Sequence, residues 1–228
     1  MIAASIAILS SAAVVSTGFA AWVISGGDTK EATGTITAET VSDTSHTLSA
    51  VTWDANKGAI SFGAPEKVNT TDGKFLNYTG SVTEKLVATG TFTVSNLKSG
   101  WFFATLFATS DLKVIEVVPT GKKAVYPTGG EYVCELPSYK TGKVDTTKPG
   151  VYVEVGTDTT VGTETETGNF KLSVVFGWGS KTGTINPFTY YKDKDNNATN
   201  RSEAKTVIDE VYKLNGCSFS ITIKTNAQ

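Results

Sequence analysis

One histidine, one methionine and two cysteines are all that 228 residues hold of the side chains most used to bind metals or to switch protonation near neutrality. No GxSxG, HExxH, Walker-type or GxGxxG pattern occurs. His46 sits in the polar stretch "SDTSHTLS" with no nucleophile elbow near it and is expected at the surface. Glu164 and Glu166 fall in low-complexity sequence and read as solvated. No enzyme activity and no cofactor are therefore expected. The two cysteines form no CxxC or Cys/His cluster, which excludes a structural zinc site. Charge is scarce too, at 18% of residues with a net of −2, so no basic face is available for nucleic acid. From Ile2 to Ile24 there is no charged side chain at all, and the first is Asp28.

What the chain has instead is threonine, roughly one residue in six, whose branched Cβ suits a pleated surface. With 10% aromatics and four tryptophans, the chain can build a core without staples. From Ala32 onward, short alternating or β-rich runs are separated by turn residues: "TGTITAETV", "LSAVTW", "GAISF", "TGTFTVSNL", "LKVIEVV", "EYVCEL", "GVYVEV", "NFKLSVVFGW" and "CSFSITIK". "WFFATLFAT" (101–109) is nearly all apolar and reads as a strand buried on both faces. About ten strands at this spacing predict an all-β antiparallel sandwich. Residues 137–150 and 156–168 read as exposed loops or edge hairpins rather than linkers, because β-rich runs flank them closely. One helix is predicted over about 200–214, with Asn200 as N-cap, Glu203 completing a capping box, an apolar stripe of Ala204, Val207, Ile208, Val211 and Leu214, and Asn215-Gly216 as the stop.

The apolar N-terminus divides near Ala20. Ile6–Val15 reads as the h-region of a secretion signal and Gly18-Phe19-Ala20 as its small-x-small cleavage site. The basic n-region is missing, so Met1 is read either as an internal or late start or as the number of a processed end. Residues 1–27 thus form an apolar segment and 28–228 the sandwich domain.

Several smaller features carry candidate roles. Cys134 and Cys217 are candidates for a disulfide, the alternative being two separate buried thiols. Asp193, Asp195 and Asn197 occupy the first, third and fifth places of a calcium loop, which then fails at Ala198 and Ala204. Asn69, Asn77, Asn197 and Asn200 each open an N-x-[ST] sequon. "FGWGSKTGTINPFTYY" (176–191) reads as a Trp-anchored corner whose glycines free the backbone around a large indole.

The apolar signal ending Thr17-Gly18-Phe19-Ala20-Ala21-Trp22, the strand "EATGTITAETV", and the late "FGWGSKTGTINP", helix and "CSFSITIK" together resemble secreted proteins of the TasA/camelysin type with SipW-dependent signals. The resemblance covers the two ends, about a third of the chain. It implies a jelly-roll-like sandwich that polymerises outside the cell into matrix fibres, each subunit's N-terminal segment lying as a strand in its neighbour. By that resemblance the donor arm is about Ala21–Thr35. Trp22, Val23 and Ile24 would be its anchors and Gly26-Gly27 its hinge, and the partner is the chain itself. The family's reported proteolysis has no motif here and is not carried over. A second resemblance is to archaeal type IV-like pilins, in which the apolar segment is retained as a helix in the filament core. The membrane is then a partner only during export or through that retained segment. A third class, a secreted carbohydrate-binding module, would use exposed aromatics such as Tyr126, Tyr139, Trp178 or Tyr190.

Overall fold

The computed structural model describes residues 32–42, 46–54, 58–68, 78–126, 131 and 133–226. The architecture is consistent with the expected all-β sandwich, with 42% of the described residues in strands and 19% helical. One sheet contains β1 (Thr33–Val41), β4 (Ala59–Val68), β5 (Tyr78–Lys85), β7 (Val114–Val117) and β12 (Cys217–Lys224), in the order β5-β4-β1-β12-β7. The other contains β2 (Thr47–Leu48), β3 (Thr52–Trp53), β6 (Val87–Ser95), β9 (Gly150–Val155) and β10 (Thr167–Val175). Its order is β2-β6-β10-β9, with β3 also on β6. A two-residue pair joins β8 (Cys134–Glu135) to β11 (Gly177–Trp178). All strand pairs are antiparallel except β1 with β12, which run parallel over eight register pairs from Gly34↔Cys217 to Val41↔Lys224.

The alternation in the sequence explains the layering. In "TGTITAETV" the threonines 33, 35 and 37 point to solvent while Gly34 and Ile36 are buried. In β6, Ala88, Gly90, Phe92 and Val94 are buried between outward threonines. A period of two places one set on each face. Two aromatic groups fill the gap between the sheets. Phe62, Phe176 and Phe219 meet edge-on or tilted at 5.0–6.3 Å. Phe170 stacks on Phe92 at 5.5 Å and meets Phe107 at 5.3 Å and Trp101 at 6.0 Å. Each such side chain contributes roughly 1.5–3 kcal/mol by burial, and each ring pair about 0.5–1.5 kcal/mol more.

"WFFATLFAT" is not a strand. It forms the single helical turn α1 (Phe103–Leu106), with Phe102 63% exposed. Helical spacing lets Phe103, Leu106 and Phe107 share one inward face, which a strand's alternation would have split. The amide of Asn226 donates to the carbonyls of Thr105 and Phe107 and so satisfies groups that a short helix leaves open. "LSAVTW" splits into β2 and β3, "EYVCEL" shrinks to β8, and β5 was not anticipated. A second short helix, α2 (Pro187–Lys192), occupies the aromatic stretch after Trp178. Asn186 caps it by accepting from the Phe188 N–H at 2.9 Å, and Pro187 stands at its start.

The long helix α3 spans Ala198–Lys213. Its N-cap is Asn197, which accepts from the Asn200 N–H at 2.9 Å, so Asn200 lies inside the first turn and the expected capping box with Glu203 does not form. The predicted apolar stripe is buried, and the stop holds: Gly216 takes φ +75°, and its N–H donates to the Thr33 carbonyl at 2.7 Å. His46 is 2% exposed rather than at the surface. Beside it the Leu48 N–H donates to the Ser42 hydroxyl at 2.8 Å, which holds β2 against the residue that follows β1. Residues 137–150 are not wholly a free loop either. Pro137 accepts from the Val114 N–H on β7, and Ser138 from the Val151 N–H on β9, which ties the edge of one sheet to the edge of the other.

Phe170→Ala removes the ring at the centre of the second aromatic group. It is expected to cost about 3–5 kcal/mol in equilibrium denaturant unfolding, against less than about 0.5 kcal/mol for the exposed Thr91→Ser.

Candidate assembly surface

Ala21, Trp22, Val23, Ile24, Gly26 and Gly27 lie outside the described residues, as do Asn69 and Asn77. Where the chain enters the fold is defined. Ala32 is fully buried and its carbonyl accepts from the Phe62 N–H at 2.8 Å. Thr33 is bonded to the α3–β12 turn through Asn215 and Gly216. Thr33 therefore begins β1 in the middle of the first sheet, between β4 and β12.

Two strands away lies the edge strand β7. Ile115 is 51% exposed, Val117 44% and the adjoining Val118 40%. Ile115 and Val117 stand on the outer face, opposite Ser220 and Ser218 of β12, which in turn face Thr37 and Thr35 of β1. Polar residues are the rule on a solvated sheet face, and here hydroxyls give way to a run of branched aliphatics at the rim. Val117 pairs with Ser218, and Gly34 pairs with Cys217, so the end of β7 and the start of β1 lie at the same end of the sheet. Two inter-strand spacings separate them, about 10 Å.

Beneath β7, Glu116 turns inward. Its carboxylate accepts from the backbone N–H groups of Val125 and Tyr126 at 2.9–3.1 Å, which folds the following segment under the strand. The Tyr126 ring rests on Phe219 at 6.2 Å. Burial, and after it the neighbouring Cys134 thiol, push the Tyr126 hydroxyl well above its usual range. Cys134 and Cys217 are both free thiols, the alternative to the candidate disulfide. Burial pushes Cys134 up to about 12. Burial and then Glu116 push Cys217 up to about 11, with its Sγ 3.4 Å from the Lys213 carbonyl. Both groups are held as neutral thiols, which removes them as nucleophiles.

The remaining candidates resolve into structural roles. The Asn197 side-chain oxygen caps α3, the Asn200 amide donates to the Asp195 carbonyl at 3.0 Å, and Arg201 binds Asn196. Among the described residues no group of three or more His, Cys, Asp or Glu could hold a metal. Of the sequon asparagines, Asn197 is exposed and Asn200 is half-buried with its amide engaged. Trp178 is 6% exposed, and its indole N–H donates to Glu84 at 3.0 Å, as does the Asn186 amide at 2.6 Å. Gly177 is required there, since a Cβ would lie 2.0 Å from Pro149 Cγ. Tyr126, Tyr139 and Tyr190 are half-buried against the core. The four aromatics therefore form no open sugar-stacking platform. No helix among the described residues is long and apolar enough to cross a membrane.

Searches with this chain against protein-family models, curated proteins and solved structures each found no match.

The sequence missed Ile115, Val117 and Val118 as surface residues. "LKVIEVV" marks a strand, and only the neighbouring strands decide which of its faces is covered.

The two raised thiols set a pH dependence. Their folded values lie above the ordinary thiol value, so the stability they contribute is whole below about pH 9 and is lost as pH rises through about 11 and 12. Denaturant midpoints are expected to fall over that window, with a shallower fall in Cys134→Ala, and Cys134 is expected to resist alkylation at pH 8 until the chain is unfolded.

Proposed function

We propose that this protein is a structural subunit of an extracellular filament. It is a jelly-roll-like sandwich in which residues Ala21–Gly27 of one subunit lie along β7 of the next. The observation that supports this most is the exposed Ile115-Val117-Val118 run on an edge strand of a chain whose first 27 residues carry no charge. Edge strands are ordinarily guarded by charge or covering structure because their free backbone groups template pairing. The Val114 end of β7 is already held by Pro137 and Ser138, so an added strand would pair along the Glu116–Val118 end, and its alternate side chains would supply the anchors. Trp22 and Ile24 share one face of an extended arm, the pattern that such a groove reads.

Reach permits the arrangement. Nine residue steps run from Ile24 to Thr33, up to about 30 Å when extended, more than the about 10 Å to the subunit's own β7. The arm is thus long enough to leave its own domain, and Gly26-Gly27 lets it turn outward. A contact between an arm and a separate acceptor is heterologous, and repeated without closure it grows a filament.

Electron microscopy and sedimentation of full-length protein test the reading. Fibres are expected from the wild type. Monomers are expected both from deletion of Ala21–Gly27 and from Ile115→Lys/Val117→Lys, which places charge on the acceptor without touching the core. Fibres that survive the charge substitutions but are lost on deletion would instead favour the pilin-like packing of N-terminal helices. Fibres from the deletion would sink both versions.

A further inference from the structure

The outer face of the second sheet carries a groove of about 550 Å³. Its floor is a cross-strand row in register, Thr91 on β6, Lys171 on β10 and Glu154 on β9, with Asn169 one step along β10. Its wall is the start of the β9–β10 loop, with Thr157 and Asp158. We propose that this groove binds a neutral oligosaccharide chain.

The wall is fixed before any ligand arrives. The Gly156 N–H donates to the Asn169 carbonyl at 2.7 Å. The Asn169 N–H donates to the Thr159 hydroxyl at 2.6 Å, and that hydroxyl is 3.2 Å from the Asn169 carbonyl. The Asn169 amide holds one oxygen of Asp158 at 2.6 Å, which sets the direction of the carboxylate. Preorganised polar groups lose little freedom when they bind, so more of each hydrogen bond is expressed as affinity.

Charge selects the ligand class. Lys171 and Glu154 are directly opposed on neighbouring strands, where such a pair commonly closes, yet among the described residues Lys171 makes no ion pair. Glu154 accepts from the Val144 N–H at 3.4 Å and Asp158 from the Asn169 amide at 2.6 Å, so each carboxylate keeps lone pairs for a guest beside the Lys171 ammonium. A polyol meets both needs, because each hydroxyl donates to a carboxylate and accepts from an ammonium. Shape selects length. Sites for compact ligands enclose most of the guest's surface, whereas this groove is open along a row about 10 Å wide and suits a chain that continues past it. The buried aromatic corner at Trp178 has no part in it. The site does not depend on the filament reading, although assembly would repeat it along a fibre.

Biolayer interferometry of the full-length chain over immobilised dextran, xylan, hydroxyethyl cellulose and alginate tests the proposal. At least one neutral polysaccharide is expected to retain the protein. Lys171→Ala/Asp158→Ala is expected to weaken that retention at least about tenfold with an unchanged melting temperature. Three results overturn it: no retention by any neutral polysaccharide, retention undiminished in the double variant, or retention by alginate alone that salt removes.

Discussion

The parallel pairing of β1 with β12 is the constraint on which the rest of the molecule depends. A parallel pair needs a crossover, and here the crossover is the whole intervening chain, from Ser42 to Gly216. The first sheet has no centre until both ends of the domain are present. The contact is close as well as long-range. A Cβ at Gly34 would come within 2.8 Å of the Phe219 ring, so the glycine in "TGTIT" is what lets that ring lie across the strand and reach Phe62 and Phe176. Because β1 is central, Ala32 and Thr33 lie in the middle of a sheet, beside the α3–β12 turn, and not at a rim.

That placement separates two kinds of surface. The rim at β7 is aliphatic and is held from beneath by Glu116, whose carboxylate spans two backbone donors. The outer face of the second sheet is polar, with threonines on β6, Lys171 and Asn169 on β10 and Glu154 on β9. Burial of apolar area is non-directional and suits a partner that supplies a strand. Fixed donors and acceptors reward a guest with matching geometry. One sandwich therefore offers two faces of different chemistry, and segment 137–150 fastens their edges together between β7 and β9.

Much of the frame was legible in the sequence because it rests on period. Thr33–Val41, Val87–Ser95 and Cys217–Lys224 alternate so regularly that strand and buried face follow at once, and the stripe from Ala204 to Leu214 does the same for α3. Failures came where period was absent or another interaction decided. "WFFATLFAT" is apolar at nearly every position, so spacing cannot separate strand from helix, and the Asn226 amide closes the turn from across the chain. Asn197 displaced Asn200 as the cap because it stands where the backbone is still extended, at φ −114° and ψ 167°. His46 was misplaced because a polar neighbourhood in sequence does not report burial, and the residue is only 2% exposed. The groove was invisible, since Thr91, Glu154 and Lys171 meet only through register.

The two surfaces also differ in what repetition would do to them. In the proposed assembly one contact per subunit at β7 would have to hold the neighbour, and an indole such as that of Trp22 with branched aliphatics beside it is the kind of anchor that does so. The groove has no aromatic platform, and an open polar site of this type is weak taken singly. Strung along a filament, weak sites act together, because once one has engaged a polysaccharide the next binds at the effective concentration set by subunit spacing. An array needs only modest affinity at each groove, so buried Trp178 can serve the fold through Glu84 while sheet-borne polar residues serve the ligand.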